Sequence, residues 1–247
     1  MNQPQKKKST DQSAGKKGQE KNEKPPVLDH ALEELKQRLL HSKTGLINAG
    51  GSCYMASIIQ ILVHLKPFLD IFLKGHHRSH LSKKFFEFIS SFTKGNPIEI
   101  KYFAGDYNHI NKKFCGEDGN NPMTFFTEFI SELSKENKEI INLFKGKKLI
   151  NYGQSEKFDE SFLFYLVILD KNNPHITELI NDGKKYDGVE NNSSILTEKI
   201  VEMPEILIIN LEIEKNITYT GEDYIVIDEQ SYKLVAINKY SDYHSVA

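Results

Sequence analysis

The apolar pattern of this chain changes its period once, near Gly146, and that change limits the available folds more than any other feature of the sequence. Before it, apolar residues recur every three or four positions. VLDHALEELKQRLL (27–40) carries Leu28, Leu32, Leu35, Leu39 and Leu40, with acids early and Lys/Arg late, as suits a helix dipole. YMASIIQILVHL (54–65) sets Met55, Ile58, Ile59, Leu62 and Leu65 at helical spacing, with Pro67 closing it. LSKKFFEFISSFT (81–93) and residues 122–145 read as two more amphipathic helices, Pro122 fitting a first turn. After Gly146 come β-branched or aromatic runs of strand length, at 161–169, 206–213, 223–228 and 231–238, separated by Gly, Asn and Pro. Helices first and strands later predict an α+β fold rather than alternating βαβ units.

The first 26 residues differ from both halves, having only Met1 and Ala14 as aliphatic side chains. Such a segment cannot offset its ordering entropy, so a disordered tail is expected. It holds seven lysines against three acids, which leaves 25 basic and 31 acidic groups in the remainder. A body of that charge is not expected to bind nucleic acid. No apolar run reaches the roughly 18 residues that cross a bilayer, and no secretory signal opens the chain. The expectation is an intracellular protein, cytoplasmic or nuclear, without a membrane partner.

Of the two cysteines, Cys53 follows the polar loop Thr44-Gly45-Leu46-Ile47-Asn48-Ala49-Gly50-Gly51-Ser52 and stands at or beside a helix N-terminus. Unpaired backbone N–H groups and the dipole there favour a thiolate, the nucleophilic form. Gly50-Gly51 allows a sharp turn and a close approach to a substrate. A thiol nucleophile also needs a base and a donor for the oxyanion, and the Asn48 carboxamide is placed to fold back as that donor. On position alone, a small packed cysteine opening a core helix is the favoured reading.

GLINAGGSCYMASIIQIL closely resembles the cysteine segment of the ubiquitin-specific protease family, roughly G-L-x-N-x-G-x-T/S-C-Y/F-M-N-S followed by two apolar residues, Gln and another. Gly45, Leu46, Asn48, Gly50, Ser52, Cys53, Tyr54, Met55, Ser57 and Gln60 fall on it without a gap. The family's histidine segment, Y-x-L-x-A-V, a spacer, then G-H-Y-x-A, is matched by Tyr232-Lys233-Leu234-Val235-Ala236-Ile237 and, less fully, by Tyr243-His244-Ser245-Val246-Ala247. Between them, Met203-Pro204-Glu205-Ile206-Leu207-Ile208-Ile209-Asn210-Leu211 resembles the family's L-P-x-x-L-x-x-x-L strand. Asn121-Pro122-Met123-Thr124-Phe125-Phe126 stands in the place of its Q-D-A-x-E-F.

The resemblance implies a papain-like cysteine protease fold, a helical thumb over 44–150 followed by antiparallel β palm and fingers over 151–247, with 27–43 as a helix leading in. It implies Cys53 as nucleophile, His244 as general base, Asn48 at the oxyanion, and ubiquitin or ubiquitinated proteins as partners. Other histidines fit the base less well. His64 lies about 16 Å along the helix from Cys53, His76, His77 and His80 read as an exposed turn, and His109 and His175 as loop residues.

Three departures qualify the resemblance. The chain has no C-x-x-C pairs, so no zinc in the fingers is expected, nor any other metal or cofactor. The Gln and acidic residues that relatives use on ubiquitin give way to Asn, Pro, Met and Phe at 121–126. The family's Asp or Asn downstream of the histidine has no counterpart among Ser245, Val246 and Ala247, and Asp242 is a weak substitute. The expectation is a deubiquitinase, impaired or represented by a truncated sequence, with a non-catalytic ubiquitin-binding relative as the alternative.

Overall fold

The computed structural model describes residues 26–48, 50–110, 121–152, 156–169, 175–181, 184–186, 196–213, 221–241 and 244–246; the tail expected over 1–26 falls outside these up to residue 25, as do Cys115 and Asp242. The first half is helical: α1 (Pro26–Leu40), a short strand β1 (Leu46–Ile47), α2 (Cys53–Leu62), α3 (Lys66–Phe72) and α4 (His80–Ser90), which a 3-10 turn prolongs over Ser91–Lys94. Strand β2 (Ile98–Glu99) pairs in parallel with β1, and α5 (Ile100–Ile110), α6 (Pro122–Ser134) and α7 (Lys138–Asn142) follow.

The second half holds β3 (Gly146–Tyr152), β4 (Glu156–Phe162), β5 (Tyr165–Leu169), a short α8 (Ile176–Asn181), β6 (Lys184–Tyr186), β7 (Leu196–Glu202) and β8 (Ile209–Ile213). It ends in two hairpins, β9 (Tyr224–Ile227) with β10 (Gln230–Lys233) and β11 (Lys239–Ser241) with β12 (His244–Val246). Strands β4-β3-β7-β6 form an antiparallel sheet in that order, while β5 and β8 pair in parallel. The α+β order is as the sequence predicts. Among the described residues no single helix is long and apolar enough to cross a membrane.

Gly146 marks the change of architecture for a steric reason. A Cβ there would stand 2.4 Å from the Phe162 ring and 2.9 Å from the Glu202 carbonyl oxygen, so the first position of β3 must lack a side chain.

Aromatic rings fill the helical core. Phe85 of α4 meets Phe72 at 5.0 Å, Phe129 at 5.0 Å and Phe103 at 5.7 Å between centroids. Edge-to-face pairs of this kind contribute about 0.5–1.5 kcal/mol each beyond their burial. Helix α2 runs through the same core, with Tyr54, Met55, Ile58, Ile59 and Leu62 buried. A second, smaller core lies among the strands, built on Phe162, Tyr165, Val167, Leu169, Ile176, Ile180, Ile200 and Ile227.

Residues 203–209 join the two cores. Ile206 and Ile208 pack on the helical one, and Met203, Leu207 and Ile209 on the strand one, which is the alternation of an extended segment between two layers. The Ile206 N–H donates to the Leu143 carbonyl, and the Tyr165 N–H to that of Ile208, both at 2.8 Å.

Helix α1 is docked by a charge as well as by Leu39, which is fully buried. Lys36, 7% exposed, reaches Asp70 of α3 at 2.6 Å. Burial pushes the Asp70 carboxyl up, but hydrogen bonds from Lys36 and Lys66 together outweigh it and hold it below the usual carboxylate value. A carboxyl with a depressed folded pKa stabilises fully above its unfolded value, about 4, and ceases to as pH falls through the folded one. The Asp70→Asn protein is therefore expected to unfold about 1–2 kcal/mol more easily at neutral pH, because buried Lys36 then keeps only the more exposed Glu33, at 2.5 Å, as its counter-charge. In urea unfolding followed by circular dichroism, that difference should shrink below about pH 4; a difference that does not change with pH contradicts the ion-pair account.

Candidate active site around Cys53

Cys53 is the first residue of α2 and is 4% exposed. Its position rests on the burial of the helix it opens. Tyr54, the next residue, packs edge-to-face on Phe125 of α6 at 5.7 Å, and Phe125 packs in turn on Phe129 and Tyr107 at 5.3 Å each. The thiol thus stands at the tip of a rod held along its length, a rigid placement of the kind a reacting group requires.

Both ends of the loop before it are fixed. At its start, Thr44 is buried, and its hydroxyl donates to the Phe92 carbonyl at 2.9 Å, beside the Ser42 hydroxyl on the same oxygen at 3.1 Å. The Gln60 amide donates to the Thr44 carbonyl at 3.2 Å. Gln60 follows Cys53 by about two helical turns and so lies on the same face of α2, which means the helix itself holds the base of the loop. His64 adds to this brace, with Nδ1 2.7 Å from the Gln60 carbonyl oxygen and Nε2 3.0 Å from that of Ser42.

At its end, Gly50 and Gly51 adopt φ of +51° and +61°, consecutive left-handed residues that curl the chain back on itself. That curl brings Ser52 against Asn48, whose Oδ1 accepts the Ser52 hydroxyl at 2.9 Å. Asn48 is exposed and Ser52 buried. The sharp turn anticipated from the two glycines is present.

Strand β12, which His244 opens, packs against α2. His244 is paired with Ser241 of β11 through the backbone, and its side chain lies outside the described part. The two signature segments from opposite ends of the chain therefore meet. Tyr232, the first residue of the histidine segment, also donates its hydroxyl to the Pro204 carbonyl at 2.6 Å, tying that segment to the joint between the cores.

The other histidines are accounted for. His76 and His80 are exposed, as the sequence suggests, but His77 is half-buried between the rings of Phe72 at 4.5 Å and Phe86 at 4.7 Å. His109 lies in α5 rather than in a loop. Among the described residues no group of three His, Cys, Asp or Glu side chains could hold a metal.

In α6, Asn121 caps the helix by accepting from the Met123 N–H at 2.7 Å, Pro122 occupies its first turn, and Phe125 is fully buried. These residues therefore shape the helix and its core. A second register on the same helix also fits: Thr127-Glu128-Phe129 carries the x-E-F end of the Q-D-A-x-E-F segment, with Phe129 buried and Glu128 half-buried.

Comparison with known proteins accords with this arrangement. The family model described as ubiquitin carboxyl-terminal hydrolase matches residues 44–240. Among solved structures, the SAGA DUB module of Ubp8, Sgf11, Sus1 and Sgf73 bound to monoubiquitin is similar with a TM-score of 0.58 and 18% identity, over 75% of this chain and 52% of that one. The same module bound to ubiquitin aldehyde gives 0.55 and 17%, over 84% and 55%. The Saccharomyces cerevisiae PAN2 pseudoubiquitin-hydrolase gives 0.54 and 14%, over 78% and 62%. The chain spans about half the length of the Ubp8 chains it matches. Comparison with curated proteins finds no significant match.

The left-handed turn can be tested apart from packing. A Cβ added at Gly50 or at Gly45 meets nothing within 4 Å, but only Gly50 has a positive φ. Gly50→Ala is expected to cost about 1–2 kcal/mol in urea unfolding, whereas Gly45→Ala costs less than about 0.5 kcal/mol. Equal effects of the two would show that the turn carries no strain for a side chain.

Proposed function

The chain belongs to the ubiquitin carboxyl-terminal hydrolase family, and on that footing we propose that it is a thiol-dependent deubiquitinase acting in the cytoplasm or nucleus. The observation that carries the reading is the meeting of the Cys53 helix with the His244 strand beside the Asn48 loop. Residues 44–150 then form the thumb of the catalytic domain, and 151–247 its palm and fingers.

In this reading His244 takes the Cys53 proton, and the thiolate attacks the carbonyl of the terminal glycine of ubiquitin. The carbonyl oxygen becomes an oxyanion held by the Asn48 side-chain N–H and the Cys53 backbone N–H. As the tetrahedral centre collapses, the C–N bond breaks and the departing lysine amine takes the proton from His244. A water then gives a proton to His244 and attacks the thioester, releasing the ubiquitin carboxylate, and Cys53 leaves as a thiol. The brace through Gln60 and Thr44 and the burial of α2 support the reading by holding thiol and donor in fixed relation.

A second reading is motivated by the altered 121–126 segment and the likeness to PAN2, described as a pseudoubiquitin-hydrolase. In it the chain binds ubiquitin without cleaving it.

Hydrolysis of ubiquitin carrying a C-terminal fluorogenic amide separates the two. The native protein is expected to release the fluorophore, Cys53→Ala to release none, and His244→Ala to be about 10²–10⁴-fold slower. Ubiquitin binding with no release in the native protein overturns the hydrolase reading in favour of the second; release that survives Cys53→Ala contradicts both.

A further inference from the structure

A serine at the N-cap of a helix ordinarily turns its side-chain oxygen back to accept from the N–H of the second or third helical residue. Ser52 holds that position on α2, with φ −101° and ψ 8°, yet its side chain makes no capping hydrogen bond. Its hydroxyl donates instead to Asn48 Oδ1 at 2.9 Å. The two left-handed glycines between them make the contact possible by folding the loop through a reversal.

The chemical consequence lies in the two edges of a carboxamide. One edge accepts through oxygen, the other donates through N–H2, and the torsion that exchanges them is broad and roughly two-fold. A hydroxyl donating to Oδ1 holds the carboxamide in the orientation seen here; the flipped amide could meet the same hydroxyl only after the O–H had turned away to present a lone pair to the N–H2. With Oδ1 turned to buried Ser52, the N–H2 edge of exposed Asn48 is the edge left away from that contact.

We propose that Ser52 is a positioning residue that fixes the Asn48 carboxamide with its N–H2 edge toward the carbonyl oxygen of the substrate. The role of Asn48 at the oxyanion rests on the hydrolase reading above; the orientation of its side chain does not. Ser52 does not touch the substrate in this account. It spares Asn48 a reorientation at the moment charge develops, which is how a preorganised donor lowers a barrier. The serine exchanges the usual cap on α2 for the alignment of a donor, a local rule broken beside a reactive thiol.

The test joins an activity measurement to one that needs no activity. In hydrolysis of the ubiquitin amide, Ser52→Ala is expected to lower kcat about 10-fold, part of the 10²–10³-fold cost of removing an oxyanion donor outright, with KM and the midpoint of urea unfolding unchanged. Ser52→Thr, which keeps the hydroxyl, should restore the rate. In the Asn48→Ala background, Ser52→Ala should have no further effect. Additive losses in that cycle, or a fall in kcat tracked by a fall in unfolding midpoint, overturn the proposal in favour of an ordinary structural serine.

Independently, NMR relaxation of the Asn48 side-chain N–H2 in Cys53→Ala protein should show an ordered group that becomes mobile on adding Ser52→Ala. Equal order with and without the hydroxyl overturns the proposal whether or not the chain turns over. If no ubiquitin substrate is cleaved at all, the hydrolase reading fails, and this loss of order still supports the orientation of Asn48 by Ser52.

Discussion

Two hydrogen bonds of 2.8 Å, from the Ile206 N–H to the Leu143 carbonyl and from the Tyr165 N–H to the Ile208 carbonyl, hold the helical and strand halves of this protein in register. The candidate nucleophile belongs to the first half and the candidate base to the second, so any geometry between them depends on that joint. The alternating side chains of 203–209 seat it on both cores at once. Tyr232 extends it to the histidine segment, and burial raises the pKa of that phenol, keeping it a neutral donor to the Pro204 carbonyl. The apolar residues matching the family's L-P-x-x-L-x-x-x-L strand thus act on the site from a distance, by fixing where one wall of it stands.

The other wall is fixed by an opposite strategy. Helix α2 is buried along most of its length, while the loop that delivers it is polar and partly exposed, ordered by side-chain hydrogen bonds from Thr44, Gln60 and Ser52 rather than by packing. Burial gives the thiol its fixed position. The polar loop gives it a neighbour able to donate to an oxygen, and the left-handed glycines allow both within a few residues.

The cysteine segment was legible in the sequence because each residue type there answers a local demand: Gly50 and Gly51 for positive φ, Ser52 and Asn48 for short-range hydrogen bonding, Gln60 for the return contact at two helical turns. The helices on either side were legible by periodicity, but their ends were not. The run 122–145 keeps a helical apolar period through Asn137, which nonetheless caps a new helix by accepting from the Glu139 N–H at 3.0 Å. The run 161–169 hides a turn at Leu163 and Phe164 because the turn itself is apolar. The strand expected over 231–238 stops at Lys233, where its partner β9 begins at Tyr224. Helix α5 has Gly105 in its middle and a weak pattern of its own, and is held by the burial of Phe103 and Tyr107. Strands β3, β4 and β7 carry too many Lys and Glu to read as strands, and form by pairing with each other. In each case the deciding partner is distant in sequence, where periodicity has no view of it.

The most direct test of the central claim, that Cys53 is the nucleophile of a site that receives ubiquitin, is covalent capture. Ubiquitin bearing a thiol-reactive group at its C-terminus should form one adduct with the native chain, mapped by peptide mass spectrometry to Cys53 and lost in Cys53→Ala. Absence of the adduct, or its persistence in Cys53→Ala, would contradict the account.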